Sequence, residues 1–111
     1  MKVTVERDDT IKIIALEGQL DIAGSDITRD EVLKLMDGKP LIISMSKVPY
    51  VSSSGLRALL IIAKTAKAKN IKLVYAETIP EVMDVLQMTG FKKFLICATT
   101  IEDAVKELGV Q

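Results

Sequence analysis

Apolar and β-branched residues recur in short runs along the chain, and their period changes between that of strands and that of helices. Runs typical of strands predict five of them: "KVTVE", "IKIIALEG", "PLIISMS", "IKLVYAE" and "KFLICA". Segments with the helical period alternate with these runs: "SDITRDEVLKLMDG", about Ser54 to Lys69, "TIPEVMDVLQMTG" and "TTIEDAVKELG". The predicted order is therefore β-β-α-β-α-β-α-β-α. After an initial hairpin, crossover connections give an α/β fold with a mostly parallel mixed sheet.

Capping patterns predict where two of the helices begin. Ser25 or Thr28 is expected to cap the first helix, and Gly38 is expected to end it. Thr78 and Glu81 have the spacing of a capping box at the start of the third helix. Helices of such folds begin near the carboxyl ends of strands, where open α/β sheets carry their functional residues.

The composition narrows the class of protein. A chain of 111 residues with 49% hydrophobic and 27% charged residues indicates a soluble globular domain, predicted to span residues 1–111. Because fifteen basic and fifteen acidic residues cancel, we expect neither direct nucleic-acid binding nor membrane binding. No apolar run reaches the roughly 20 residues needed to cross a bilayer. With no export signal before the first strand, we expect a cytoplasmic location.

The residue types that the chain lacks restrict its chemistry. It contains no histidine, so nucleophilic triads that depend on imidazole cannot be built. Cys97 is the only cysteine, which excludes an internal disulfide and zinc sites of Cys and His. Its apolar neighbours predict a small buried side chain. We therefore expect a protein that is not an enzyme and has no catalytic residues, cofactor or metal site.

Three serines and a glycine, "SSSG" at residues 52–55, stand between the third strand and the second helix. At this junction serine hydroxyls can accept hydrogen bonds from the amides of the first helical turn. Gly55 allows the backbone to approach a neighbouring segment closely. Two interpretations stay open: one serine caps the helix while the others fill the turn, or the tract forms a functional surface.

The second helix has two distinct faces. Four apolar residues share its predicted core face: Leu56, Leu59, Ala63 and Ala66. Arg57 and Lys64 point away from the core, and Ile61 falls between them on the outward side, next to Ala58. An apolar side chain displayed beside hydroxyl groups is typical of a protein contact patch, although single exposed apolar residues are common.

Three segments together form a pattern that points to one family. They are "LEGQLDIAG", "LIISMSKVPYVSSSGLRALL" and "LQMTGFKKFLICATTIEDAVKEL". The first resembles a Gly-Glu-Leu-Asp turn, the second a strand and helix start of the form LDLSxVxxxDSSGL, and the third the C-terminal third of the STAS domain. The whole chain thus resembles the STAS domain, the fold of bacterial anti-sigma factor antagonists. This resemblance implies a single domain of about five strands and four helices.

The resemblance implies a binding protein that is regulated by phosphorylation. Ser54 matches the family's phosphoacceptor, Ser53 the hydroxyl residue beside it, and Asp21 the acidic residue of the turn next to the acceptor. In the family, an unphosphorylated antagonist binds an anti-sigma factor with serine kinase activity and frees the sigma factor. The kinase uses ATP, and a separate serine phosphatase removes the phosphate.

The expected partner-binding residues surround the phosphoacceptor: Asp21, Ser52, Ser53, Gly55, Arg57, Ala58 and Ile61. The chain departs from the family's pattern at two positions, because Ser44 and Ser52 replace acidic residues that help to define the acceptor pocket. Two alternatives stay open. The domain binds a nucleotide or another phosphate ligand at the start of the second helix, or it acts in a signalling or lipid-transport complex without phosphorylation.

Overall fold

The β-branched and apolar runs form strands in the computed structural model, which describes residues 1–109. The strands are β1 (Lys2–Asp8), β2 (Lys12–Glu17), β3 (Leu41–Lys47), β4 (Leu73–Ala76) and β5 (Cys97–Ala98). They lie in the order of the sequence within one sheet. β1 is antiparallel to β2, and each later strand is parallel to the one before it. The predicted hairpin and mostly parallel sheet are confirmed, and residues 110 and 111 of the predicted domain lie outside the described residues.

Helices follow the strands in the predicted order. They are α1 (Ile22–Leu35), α2 (Ser53–Ala68), α3 (Pro80–Met88) and α4 (Ile101–Leu108). A 3₁₀ helix, Phe91–Phe94, occupies the beginning of the segment that was predicted to be the last strand. Gly90 precedes it in the left-handed conformation, with φ of 79°, and turns the chain at this point. Only Cys97 and Ala98 therefore pair with β4.

The predicted start of α1 is wrong, because Asp21 caps this helix. The Asp21 carboxylate Oδ1 accepts a hydrogen bond from the Gly24 amide at 2.8 Å. Ser25 and Thr28 lie inside the helix and are buried. The helix also ends at its Met36 cap, before Gly38. The start of α1 is thus placed directly after the segment that leaves β2.

The capping box predicted for α3 does not form. Ile79 occupies the N-cap position and Pro80 the first turn, and no side chain caps the helix. Proline suits the first turn because its missing N–H would have no helical partner there. The Thr78 hydroxyl is instead buried without a hydrogen-bond partner within residues 1–109.

The sheet separates two apolar layers. The layer between the sheet and α1, α2 and α3 includes Ile14, Leu16, Val32, Ile43, Leu59 and Leu86. The layer between the sheet and α4 includes Ile13, Ile42, Val74, Ala104 and Leu108. Burial on both faces explains the uninterrupted apolar start of β3. None of the helices in the described range is long and apolar enough to cross a membrane.

The apolar face of α2 fixes this helix against the sheet. Leu56, Leu59 and Ala66 are buried and Ala63 is partly buried, which confirms the predicted core face. Tyr75 in β4 donates its hydroxyl hydrogen to the Leu59 carbonyl at 2.6 Å. Complete burial raises the pKa of Tyr75 well above its usual value, so the phenol keeps this hydrogen. The second turn of α2 is therefore hydrogen-bonded to the sheet as well as packed against it.

Candidate functional site

The segments that lead into α1 and α2 are joined at the carboxyl end of the sheet. Leu20 and Val51 form an isolated parallel bridge. The Leu20 amide donates to the Tyr50 carbonyl at 2.9 Å, and the Ser52 amide donates to the Leu20 carbonyl at 2.9 Å. The two helix starts therefore lie side by side, at the edge where open α/β sheets place their functional residues.

Ser52 is the N-cap of α2. Its hydroxyl oxygen accepts a hydrogen bond from the Gly55 amide at 3.1 Å and donates to the Leu20 carbonyl at 2.8 Å. One side chain thus begins the helix and attaches it to the neighbouring segment. Of the two interpretations of the serine tract, the capping one holds for Ser52. Its hydroxyl is already used within the fold.

Gly55 lies where a larger residue does not fit. A Cβ atom at this position would be 2.7 Å from the Leu20 carbonyl oxygen and 2.9 Å from the Val51 Cγ1 atom. Gly24 at the start of α1 has the same role, because a Cβ there would overlap the Gln19 carbonyl. Both helices therefore approach the Leu20 segment more closely than any side chain allows.

Ser53 and Ser54 have hydroxyl groups that make no hydrogen bond within the described residues. Ser53 is exposed, whereas Ser54 is partly buried and lines a groove between α1 and α2. This serine groove has a volume of about 140 Å³. It is lined by Ser25, Asp26, Arg29, Ser54, Arg57, Ala58 and Ile61.

On the α2 side, the serine groove combines a free cation with an apolar side chain. Arg57 is exposed and forms no ion pair with any residue of the range 1–109. Ile61 is 41% exposed, which confirms that it points outward. Ala58 is only 3% exposed and so forms the floor of the groove rather than its outer surface. Ser54, Arg57 and Ile61 thus present a hydroxyl, a cation and an apolar group along one side of the helix.

The α1 side of the groove was missed by the sequence analysis. Arg29 lies 3.4 Å from Asp26 and 3.1 Å from Asp30, so its guanidinium is held by two carboxylates. Ser25 is buried, and its hydroxyl has no partner in the described part of the chain. The spacing of Asp26 and Arg29 could have predicted their pair. It could not predict that α1 packs beside Ser54, which depends on the tertiary fold.

The expected site residue Asp21 does not line the serine groove. It caps α1 and directly follows Leu20, whose carbonyl receives the bonds from Ser52. Ser44, at the other position where serine replaces an acid, is buried and donates to the Glu77 carboxylate at 2.8 Å. A carboxylate is thus present beside this position of β3, but it comes from the residue after β4.

No group of histidine, cysteine or acidic residues within residues 1–109 is arranged to hold a metal ion. Cys97 lies outside the serine groove and is partly buried. Its burial raises the pKa of the thiol. The thiol is therefore protonated near neutral pH and is a poor nucleophile.

Comparisons with known proteins agree with this architecture. The family model of the STAS domain matches residues 2–107. A candidate anti-sigma factor antagonist, BtrV of Bordetella bronchiseptica, is 28% identical over 106 residues, which cover 94% of this chain and 91% of BtrV.

Two solved structures share the fold. The anti-sigma factor antagonist SpoIIAA in its unphosphorylated form superposes with a TM-score of 0.76 at 19% identity, and the match covers 99% of each chain. The murine anion transporter Slc26a9 in its inward-facing state gives a TM-score of 0.81 at 24% identity. That match covers 94% of this chain but only 18% of the transporter. With the family model matching nearly its whole length, the chain belongs to the STAS domain family.

Proposed function

We propose that this chain is an anti-sigma factor antagonist whose serine groove binds an anti-sigma factor with serine kinase activity. Binding occupies the anti-sigma factor and so frees the sigma factor. Phosphorylation of Ser54 ends the binding, and a serine phosphatase restores it. The observation that carries this proposal is the Ser54 hydroxyl, which is unbonded and partly buried in the groove with Arg57 and Ile61. The name of the relative BtrV supports it.

The unphosphorylated groove has the features of a protein contact surface. Ile61 offers an apolar side chain that a partner can bury, and Arg57 offers a cation with no partner in the described residues. Protein interfaces combine such apolar contacts with arginine side chains. The small Ser54 hydroxyl allows a partner to approach the start of α2 closely.

The domain itself is suited to a phosphate on Ser54. The phosphate adds a charge of about −1.5 to −2, and Ser54 lies in the first turn of α2, near free amides and the positive end of the helix dipole. Arg57 follows three residues later and is free to pair with the phosphate, whereas Arg29 already contacts Asp26 and Asp30. We therefore expect phosphorylation to leave the fold unchanged.

The partner is affected differently. A surface that fits a neutral hydroxyl beside Ile61 would have to remove water from a dianion without supplying an opposite charge. Removing water from a charge that Arg57 balances only in part costs several kcal/mol, which is enough to weaken a micromolar complex severely. The switch therefore acts by changing the charge of the groove rather than the shape of the domain.

The volume of the serine groove argues against a nucleotide as its ligand. The groove measures about 140 Å³, whereas sites for small organic ligands measure roughly 300–1,000 Å³. A nucleotide-binding module would be stabilised against heat by ATP or GTP alone. We expect no such shift of the melting temperature. A shift that Ser54→Asp removes would favour the nucleotide alternative.

The proposal is tested by recovering the partner and measuring its affinity for matched variants. A pull-down from cell extract, with and without ATP, should recover an ATP-binding serine kinase, whereas recovery of membrane transport components would favour the transport alternative. By titration calorimetry, Ser54→Asp should weaken binding at least tenfold, or about 1.4 kcal/mol.

Ser54→Ala should bind nearly as well as the parent. Ser53→Asp places the same charge one residue earlier on an exposed side chain and should have a smaller effect. Equal affinity of Ser54→Asp and the parent would overturn the proposal.

The site of modification is tested separately. The recovered kinase and ATP should add one phosphate to the parent and none to Ser54→Ala, as measured by mass spectrometry. Incubation with ATP alone should leave the protein unmodified, because the groove beside Ser54 is smaller than sites for small organic ligands. A phosphate mapped to Ser52 or Ser53 would show that the wrong serine has been assigned.

A further inference from the structure

The net charge of zero conceals an uneven distribution of charge along the chain. Residues 47–76 contain no acidic residue but six basic ones: Lys47, Arg57, Lys64, Lys67, Lys69 and Lys72. Residues 85–101 also lack acidic residues and contribute Lys92 and Lys93. In the fold, the first segment supplies α2 and β4, and the second supplies the 3₁₀ helix and β5. Lys47 pairs with Glu17, and Arg57 lines the serine groove. Because β5 is the neighbour of β4, the remaining parts of the two segments meet near this edge of the sheet, where Lys67, Lys72 and Lys93 line one groove.

A second groove lies between these segments, and we call it the lysine groove. It has a volume of about 360 Å³ and is bounded by the later turns of α2, the start of β4 and residues 93–96. Leu73 and Leu95 are buried apolar residues of its lining. Lys67, Lys72 and Lys93 belong to the same lining, and none of them forms an ion pair within residues 1–109. The groove therefore combines apolar walls with unpaired cations.

Two large apolar side chains are exposed at this groove. Phe94 is 67% exposed and Ile96 is 49% exposed, and both contribute to the lining. A single exposed apolar residue needs no explanation, but an aromatic and an aliphatic side chain side by side at a concave surface are typical of a binding site. No residue lines both this groove and the serine groove. The two grooves are therefore separate surfaces, and different turns of α2 line each of them.

We propose that the lysine groove docks an acidic segment of a partner protein that carries one apolar anchor side chain. Carboxylates of such a segment would pair with Lys67, Lys72 and Lys93, which lack opposite charges in the described structure. The anchor would pack against Leu73 and Leu95 and be covered by Phe94. A concave groove fits the side chain of a protein segment better than the surface of a bilayer. The proposal does not depend on the role of Ser54.

The test begins with a phage-displayed library of short random peptides selected against the parent protein. Enriched peptides should carry net negative charge and one large apolar residue. A labelled peptide of the enriched sequence should bind the parent in fluorescence polarisation, and the affinity should fall as the salt concentration rises. Lys67→Glu and Phe94→Ser should each weaken binding about tenfold or more.

Matched controls show whether a loss of peptide binding is specific to residues of the lysine groove or follows from any change of charge or apolar surface. Lys34→Glu reverses an exposed lysine of α1, and Met88→Ser removes an apolar side chain that is 86% exposed on α3. Neither residue lines the groove, so both variants should bind the peptide within about twofold of the parent. Ser54→Asp should also bind it like the parent, whatever its effect on the kinase. Circular dichroism and melting temperatures confirm that each variant is folded.

Several outcomes would overturn the proposal. The groove does not bind acidic segments if neutral or basic peptides are enriched, or if no peptide is enriched. The same conclusion follows if Lys67→Glu leaves the affinity of the peptide unchanged. Binding of the parent to phosphatidylserine vesicles, lost in Lys67→Glu and without peptide affinity, would assign the surface to a membrane. A dimer seen by sedimentation and lost in Phe94→Ser would assign it to a second copy of the chain.

Discussion

The Ser52 hydroxyl oxygen lies 2.8 Å from the Leu20 carbonyl oxygen and donates a hydrogen bond to it across 32 residues of sequence. The same carbonyl accepts the Ser52 amide at 2.9 Å. Both of its lone pairs are therefore used by one residue. The Ser52 hydroxyl is therefore used within the fold, whereas the hydroxyls of Ser53 and Ser54 have no hydrogen-bond partner in the described residues.

Ser52→Ala should destabilise the domain, because it removes the cap of α2 and the side-chain bond to Leu20. Loss of such a cap costs about 0.5–2 kcal/mol of unfolding free energy, measured by urea denaturation. Ser53→Ala is the matched control, since its side chain is exposed and unbonded, and it should change stability by less than about 0.5 kcal/mol. Equal losses in the two variants would contradict the assigned role of Ser52.

Gly55→Ala should also destabilise the domain, although alanine favours a helix over glycine by about 1 kcal/mol. The added methyl group would lie 2.7 Å from the Leu20 carbonyl oxygen, and the backbone there cannot move without breaking the bonds of Ser52. Such overpacking typically costs about 1–3 kcal/mol. A stabilised variant in urea denaturation would show that the contact is loose.

The variants Ile61→Glu and Leu59→Ala should distinguish a residue that contacts a partner from a residue of the core on the same helix. Ile61 is exposed, so Ile61→Glu should keep the melting temperature within a few degrees of the parent while weakening partner binding by about 1 kcal/mol or more. Leu59 is fully buried, and Leu59→Ala should lower the unfolding free energy by about 2–5 kcal/mol. Unfolding of Ile61→Glu would place this side chain in the core.

Acid should weaken one specific ion pair at the other end of the sheet. The buried Lys12 ammonium donates to the Asp37 carboxylate at 2.9 Å and to the Leu35 carbonyl at 2.6 Å. The bond from Lys12 lowers the pKa of Asp37 to about 2. An aspartate of the unfolded chain titrates near pH 3.9. The pair therefore stabilises the fold fully above about pH 4, and its contribution is lost as the pH falls towards 2.

This pH dependence is measured by comparing the parent with Asp37→Asn. The variant lacks the carboxylate at every pH, so it should be less stable than the parent at neutral pH. The difference in unfolding free energy should shrink between about pH 4 and pH 2 as the parent loses its charge. A difference that stays constant over this range would contradict the lowered pKa of Asp37.

The period of apolar residues predicted much of this architecture. The core face of α2 and the outward direction of Ile61 follow from one helical repeat, because burial of an amphipathic helix is decided by its own sequence. The order of strands and helices was predictable from the same periods, and the structure confirms it. The length of β5 was not predictable in this way, since it depends on the turn at Gly90 and on pairing with β4.

Residues that depend on tertiary contacts were mispredicted or missed. Asp21, Ser25 and Thr28 are all suitable caps by residue type, and the bridge at Leu20 decides that α1 begins at the first of them. Asp26 and Arg29 belong to the serine groove only because α1 packs beside α2. No local pattern contains that information. The start of α3 was predictable, since proline favours the first helical turn.

The bond between Ser52 and Leu20 also bears on when the site exists during folding. It closes a loop of the chain that contains α1 and β3, so it requires both elements to be in place. A nascent or partly unfolded chain therefore lacks the paired helix starts that shape the serine groove. If the groove binds a partner as proposed, that partner would bind only chains in which these two helix starts are already joined.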